Sequence, residues 1–354
     1  MFRIAYKKLI TQTVMKIETI KKIAIFGLIS ATGSLLAEDW SILVNNSTGN
    51  ANWTGNIGTA LWDGHTSGQF PSSASDNAAV TIAQNNWLFL DGNGTSPSAS
   101  ATYTLNNLTY TGNGTNQNGI RATSVSLSGT AYTYTLDIKN TFTIQGPAQI
   151  RFQNGNNNTD STLHRLNINV GGNLICNATN VVTFGGTAAG KPVTSGAAMN
   201  DFVVNGNFTA STAGLQMSIY STGYVKIGGN FTTASNTKLT IGGVITTDVS
   251  TQNIGFLGNV SMGAGSTLTV EDTLKGNLVF SANGNVVFQT MDLSAYGQKL
   301  GFLDLNSVTS TNQLFTWESA DGTLNITQAR RTQPSGISCA AWTTCLRVRP
   351  AWLT

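Results

Sequence analysis

The sequence predicts an all-β fold, a parallel β-helix or solenoid, and three observations carry the prediction. A short strand motif recurs in the middle of the chain. Asp201–Ala210 reads DFVVNGNFTA and Tyr224–Thr233 reads YVKIGGNFTT. In each copy apolar residues alternate up to a Gly-Asn pair and then resume, so Phe202, Val204 and Phe208 correspond to Val225, Ile227 and Phe231. Alternation of period two marks a strand with one buried face. The copies are also unevenly spaced, with the Gly (or Asn) at 140, 172, 206, 229 and 258. Leucine-rich and propeller repeats keep tight periods. A β-helix accepts corner loops of any length, because loop entropy grows slowly with length. The third observation is composition: charged residues are 10% and glycines number 38. Such a chain suits a turn-rich polar surface, and its regular apolar alternation argues against disorder.

The competing architecture is a β-sandwich or jelly roll. That fold needs hairpins, and Asp91-Gly92 and Asn113-Gly114 have the composition of hairpin turns.

In chain order, the first segment is 1–37. Lys16, Lys21 and Lys22 precede an apolar run from Ile23 to Ala37. The run is short for a membrane span and fits a secretory signal, with cleavage expected after Ala37. Met15 is an alternative start, since the segment before it is long for a signal's charged region. Nothing beyond Ala37 has the length and apolarity of a spanning helix, so the mature chain is expected to carry no membrane span.

The segment 38–100 is read as an N-terminal cap with the first strands. Trp40, Trp53 and Trp62 stand among Asn, Gly and Thr and are followed by Pro71, Asp76 and Ala79-Val80-Thr81-Ile82. A solenoid's first coil exposes its core and strand edges, so a distinct segment must cover them. Large indole rings supply covering area in few residues. The alternative is a carbohydrate-stacking face formed by Trp53, Trp62 and Trp87.

This arrangement of spaced Trp, then Pro71, then Asp76 and a short strand resembles the head of bacterial autotransporter-associated β-strand-repeat proteins. The resemblance covers the head, and the repeats agree with it. It implies a right-handed parallel β-helix at the cell surface or in the extracellular matrix of a Gram-negative-type bacterium. It implies no reaction. Many proteins of that kind end in a Pro-Glu-Pro sorting anchor, which has no counterpart after Gln328.

The segment 101–327 holds the repeats. Ile168, Val170 and Leu174 flank Gly172-Asn173, and Ile254, Phe256 and Val260 flank Gly258-Asn259. Leu136, Ile138 and Phe142 fit with Asn140 in the glycine's place, and a further copy is read at Gly276-Asn277 with Leu274 and Leu278. The alignment predicts an inward ladder of Phe208 and Phe231, continued by Leu174 and Val260. Asn207 and Asn230 then take outward or corner positions. Gly185–Asn200 and Asn154–Thr159 read as loops.

The segment 328–354 is an atypical tail. Cys339 and Cys345 lie there and are candidates to pair after export, which would leave Cys176 as a buried thiol in a strand.

Chemistry is sparse. His65 and His164 have no neighbouring ligand at metal spacing, and lone histidines of this kind are expected at the surface or in loops. The nonapeptide calcium repeat is absent, and Asp201, Asp248 and Asp292 share no repeat position. The sequence therefore leads us to expect no enzyme, metal or cofactor. Asn-x-Ser/Thr triplets such as Asn52, Asn107, Asn207 and Asn230 read as a by-product of composition. From Glu38 to Ala329 nine basic residues face fifteen acidic ones, a net of −6. That balance excludes a nucleic-acid partner, which needs a basic face. The expected role is structural or adhesive, with polysaccharide or other surface and matrix components as partners. A carbohydrate-binding module is the alternative, and a polysaccharide-acting enzyme a more distant one.

Overall fold

The computed structural model describes most of 38–270, except 48, 55–61, 84, 91–98, 123–131, 155–163, 187–200, 221–224 and 243–252. Past 270 it describes the strands alone. The chain divides into two compact units, Met1–Glu38 and Asp39–Thr354. The expectations for the signal segment, Cys339, Cys345, Asp248, the tail and most of the two loops lie outside the described residues.

All described elements of the second unit are strands. The chain begins with β1 (Asp39–Val44), β2 (Ala51–Asn52), β3 (Asn77–Ile82) and β4 (Trp87–Phe89). Three-strand coils follow. The first is β5 (Ala101–Leu105), β6 (Asn107–Gly112) and β7 (Gln117–Arg121). Next come β8 (Thr133–Ile138), β9 (Phe142–Gly146) and β10 (Gln149–Gln153), then β11 (Arg165–Val170), β12 (Leu174–Ala178) and β13 (Val182–Gly185). The motif coils are β14 (Phe202–Val204), β15 (Phe208–Ala210) and β16 (Gln216–Tyr220), followed by β17 (Val225–Ile227), β18 (Phe231–Thr233) and β19 (Lys238–Gly242). After β20 (Asn253–Phe256), β21 (Val260–Ser261) and β22 (Thr267–Val270) come β23 (Asn277–Phe280), β24 (Val286–Val287) and β25 (Thr290–Asp292). The last described strands are β26 (Leu303–Asp304) and β27 (Leu314–Thr316).

These strands stack into three sheets. Sheet A runs β1-β3-β6-β9-β12-β15-β18-β21-β24, sheet B runs β2-β4-β7-β10-β13-β16-β19-β22-β25-β27, and sheet C runs β5-β8-β11-β14-β17-β20-β23-β26. Neighbours pair in parallel, as in β11 with β8, β15 with β18 and β16 with β19. Each coil therefore crosses sheets C, A and B and returns to C one strand spacing along, about 4.8 Å. This is a parallel β-helix. The sandwich is excluded: Asn113-Gly114 joins β6 in sheet A to β7 in sheet B and makes no hairpin.

The motif is the bend between sheets C and A. Gly229 N–H donates to Gly206 C=O at 2.8 Å, as Gly206 does to Gly172, so the bend itself is hydrogen-bonded from coil to coil. A Cβ on Gly229 would lie 2.6 Å from the Gly206 carbonyl, and Gly258 and Gly206 meet the same obstruction one level along. The backbones approach too closely for a side chain, which is why glycine recurs here. The following Asn serves the same stack. Asn207 Oδ1 accepts the Asn230 N–H at 2.9 Å, and Asn230 Oδ1 accepts the Asn259 N–H at 3.0 Å. Asn173 and Asn207 make the same contact at 2.9 Å. The ladder is exposed.

Inside, Phe208 stands beside Leu174 on one coil and Phe231 on the next, and Phe231 stands beside Val260. Phe208 and Phe231 are fully buried with ring centroids 5.2 Å apart, and Phe256 follows at 5.4 Å. Phe152 and Phe184 stack at 5.4 Å in the same core. Burial of each such ring stabilises the fold by about 1.5–3 kcal/mol.

The copy read at Gly276-Asn277 is displaced. Asn277 pairs with Asn253 and Leu278 with Ile254, so those residues open a sheet C strand. Val286, rather than Leu278, is the residue that pairs with Val260. Alternation around Leu278 is shared by every strand, so it did not locate the bend.

Candidate functional site

Among the three-strand coils, the long connections join sheet B to sheet C. Links from sheet B to sheet C span Phe89 to Ala101, Arg121 to Thr133, Gln153 to Arg165 and Gly185 to Phe202. Links from C to A, such as Val204 to Phe208, and from A to B, such as Ala178 to Val182, are short. Variable loops on one side of a repeat array are where such folds place recognition.

Trp53, Trp62 and Trp87 are all buried. Trp53 and Trp62 are 0% and 1% exposed, with ring centroids 5.2 Å apart. Trp53 also packs on Tyr103 at 5.6 Å, and its Nε1–H donates to the Pro71 carbonyl. Trp62 Nε1–H donates to the Trp53 carbonyl at 2.7 Å. Both rings spend their faces on the first coils, so neither presents one to a ligand. Asp76 belongs to the same assembly, its Oδ2 accepting the N–H groups of Ser72 and Ser73.

Trp87 occupies a different place. It stands on sheet B beside Gly119, which in turn pairs with Arg151. The Arg121 guanidinium lies 3.4 Å from the Trp87 ring centroid, and its Nε–H donates to Gln153 Oε1 at 3.3 Å. The ring is buried under that cation. Desolvation, and next the nearby Arg151, pull Arg121 from 12.5 to about 10, so it stays charged at neutral pH. No sequence motif marks this guanidinium–indole stack. The register that unites Trp87, Arg121 and Arg151 comes from sheet B, where no Gly-Asn pair marks the strands.

The histidines part ways. His164, expected at the surface, is fully buried beside Tyr132 and Tyr134, its Nδ1 accepting the Tyr132 N–H at 2.8 Å. It closes the start of β11 against the preceding coil. His65 lies flat on Trp40 at 3.6 Å. Cys176 is buried, and burial pushes its thiol up to about 12, a state without nucleophilic thiolate at neutral pH. Asp201 precedes β14 in sheet C and Asp292 ends β25 in sheet B, so the fold does not bring them into one row.

The chain thus belongs, by architecture, to the parallel β-solenoids. No family model, curated protein or solved structure matches it.

Proposed function

We propose that the chain is an exported, non-catalytic structural or adhesive protein of the cell surface or extracellular matrix. One observation carries this reading: the same bend and the same core are repeated from coil to coil. Gly-Asn stacks on Gly-Asn from Gly172 to Asn259, and phenylalanine rings fill the core from Phe142 to Phe256. Side chains spent on continuity suit a scaffold that extends by adding coils and presents loops along one corner. The export half is supported by the Lys-rich start and the apolar run to Ala37. The compact solenoid unit begins just after it, at Asp39. A right-handed coil is the hand that parallel crossovers favour.

Mass spectrometry of the protein from its native host tests the export reading. The surface or secreted fraction should yield a chain starting near Glu38. Intact Met1 or Met15 chains in the cytoplasm would overturn export. Turnover of a glycan panel that one Asp or Glu substitution abolishes would overturn the non-catalytic role.

A further inference from the structure

Among the described residues, the first strand of sheet A has a partner strand on one side only. β1 pairs with β3, and on that side the Val44 carbonyl accepts the Ala83 N–H at 2.7 Å. Backbone groups of successive strand residues point to opposite edges, so Ser41 and Leu43 turn theirs outward. Such an edge is a template for a strand of another chain. Leu43 adds an apolar side chain that is 54% exposed.

The chain folds back onto this edge. Asp63 N–H donates to the Ser41 carbonyl at 2.7 Å. Trp62 anchors that contact, its ring 6.3 Å from Trp40 and 5.2 Å from Trp53. His65 N–H closes the turn on the Trp62 carbonyl at 3.0 Å. The Asp63 side chain is exposed beside the edge, and a charge there opposes strand addition.

We propose that Trp62-Asp63 is an edge plug that keeps β1 from pairing with β1 of a second copy of this chain. A copy is the fitting partner because two identical edges satisfy each other across one two-fold axis. The plug takes the Ser41 carbonyl and sets a carboxylate where the second strand would lie.

Two measurements on the full chain test it. In hydrogen exchange the Asp63 amide should be protected many-fold over a free loop. Exchange at the free-loop rate overturns the plug. In sedimentation velocity, Asp63→Pro removes both the N–H and the charge and should give concentration-dependent dimers that the wild type does not form. Adding Leu43→Lys, a charge on the edge itself, should restore the wild-type profile. A folded Asp63→Pro protein that sediments like wild type overturns the proposal, as does association that survives Leu43→Lys. If circular dichroism shows Asp63→Pro unfolded, Trp62→Phe with Asp63→Ala removes the anchor and the charge and is judged by the same two outcomes.

Discussion

Replacing Phe231 by alanine removes a ring that touches Phe208 on one coil and Phe256 on the next. The cavity should cost about 3–5 kcal/mol, read as a fall in the urea midpoint. Asn230→Ala removes one exposed acceptor, that of the Asn259 N–H, and should cost about 1 kcal/mol in the same titration. Gly229→Ala tests the bend between them. Its Cβ meets backbone atoms at 2.6 Å, which cannot rotate aside, so a loss of about 1–3 kcal/mol is expected although only a methyl is added. Cys176 supplies a pH test. Burial raises its thiol from 9.0 to about 12, so the folded state holds the proton more tightly than the unfolded one. That contribution is fully present below about 9 and is lost as pH rises toward 12. Tyr110 adds in the same direction, because burial also raises its hydroxyl. Urea midpoints should therefore fall between pH 8 and 11, and Cys176→Ala should flatten part of the slope.

A whole coil is the natural unit of change. Deleting Phe208–Asn230 joins Asn207 directly to Phe231 and restores Gly206-Asn207 before a phenylalanine that then stands beside Leu174. Such a variant should fold with the wild-type circular dichroism spectrum, one strand spacing shorter by about 4.8 Å. A deletion of half that segment should unfold, because it turns core residues out of register. The same geometry decides what was legible. Strands of sheets C and A flank a bend whose close approach at Gly206, Gly229 and Gly258 leaves no room for a Cβ, so Gly-Asn reported both. Gln216–Tyr220 and Lys238–Gly242 in sheet B follow turns of differing chemistry, and alternation alone did not separate them from their surroundings. Trp53 and Trp62 were ambiguous because an indole is as useful in a core as on a sugar, and only burial decides. The Asn-x-Thr triplets at Asn207 and Asn230 gain a cause. Residues two apart on a strand share a face, so the ladder Asn and an outward Thr recur together, as in Asn207 with Thr209.

Across the whole solenoid, contacts run mainly between successive coils, so stability adds up along the stack and need not be lost at once. From β14 onward the described strands are shorter, such as Phe202–Val204, Phe231–Thr233 and Val286–Val287, against six-residue strands like β8 and β11. Each short strand contributes fewer bonds to its ladder. Limited proteolysis under mild urea should therefore cut the C-terminal coils first and leave a fragment that retains β5 to β13. Simultaneous cleavage throughout would show instead that the coils unfold as one unit.

The hydrogen-bonded bend at Gly172, Gly206 and Gly229 has a mechanical consequence. Its bonds point along the stack, as do those of the three ladders. A force pulling the two ends apart loads them one coil at a time, peeling strands rather than shearing them. Extension would proceed in steps, each releasing the chain length of one coil. Tethered by its ends, the solenoid would lengthen under tension and rewind when the load is removed.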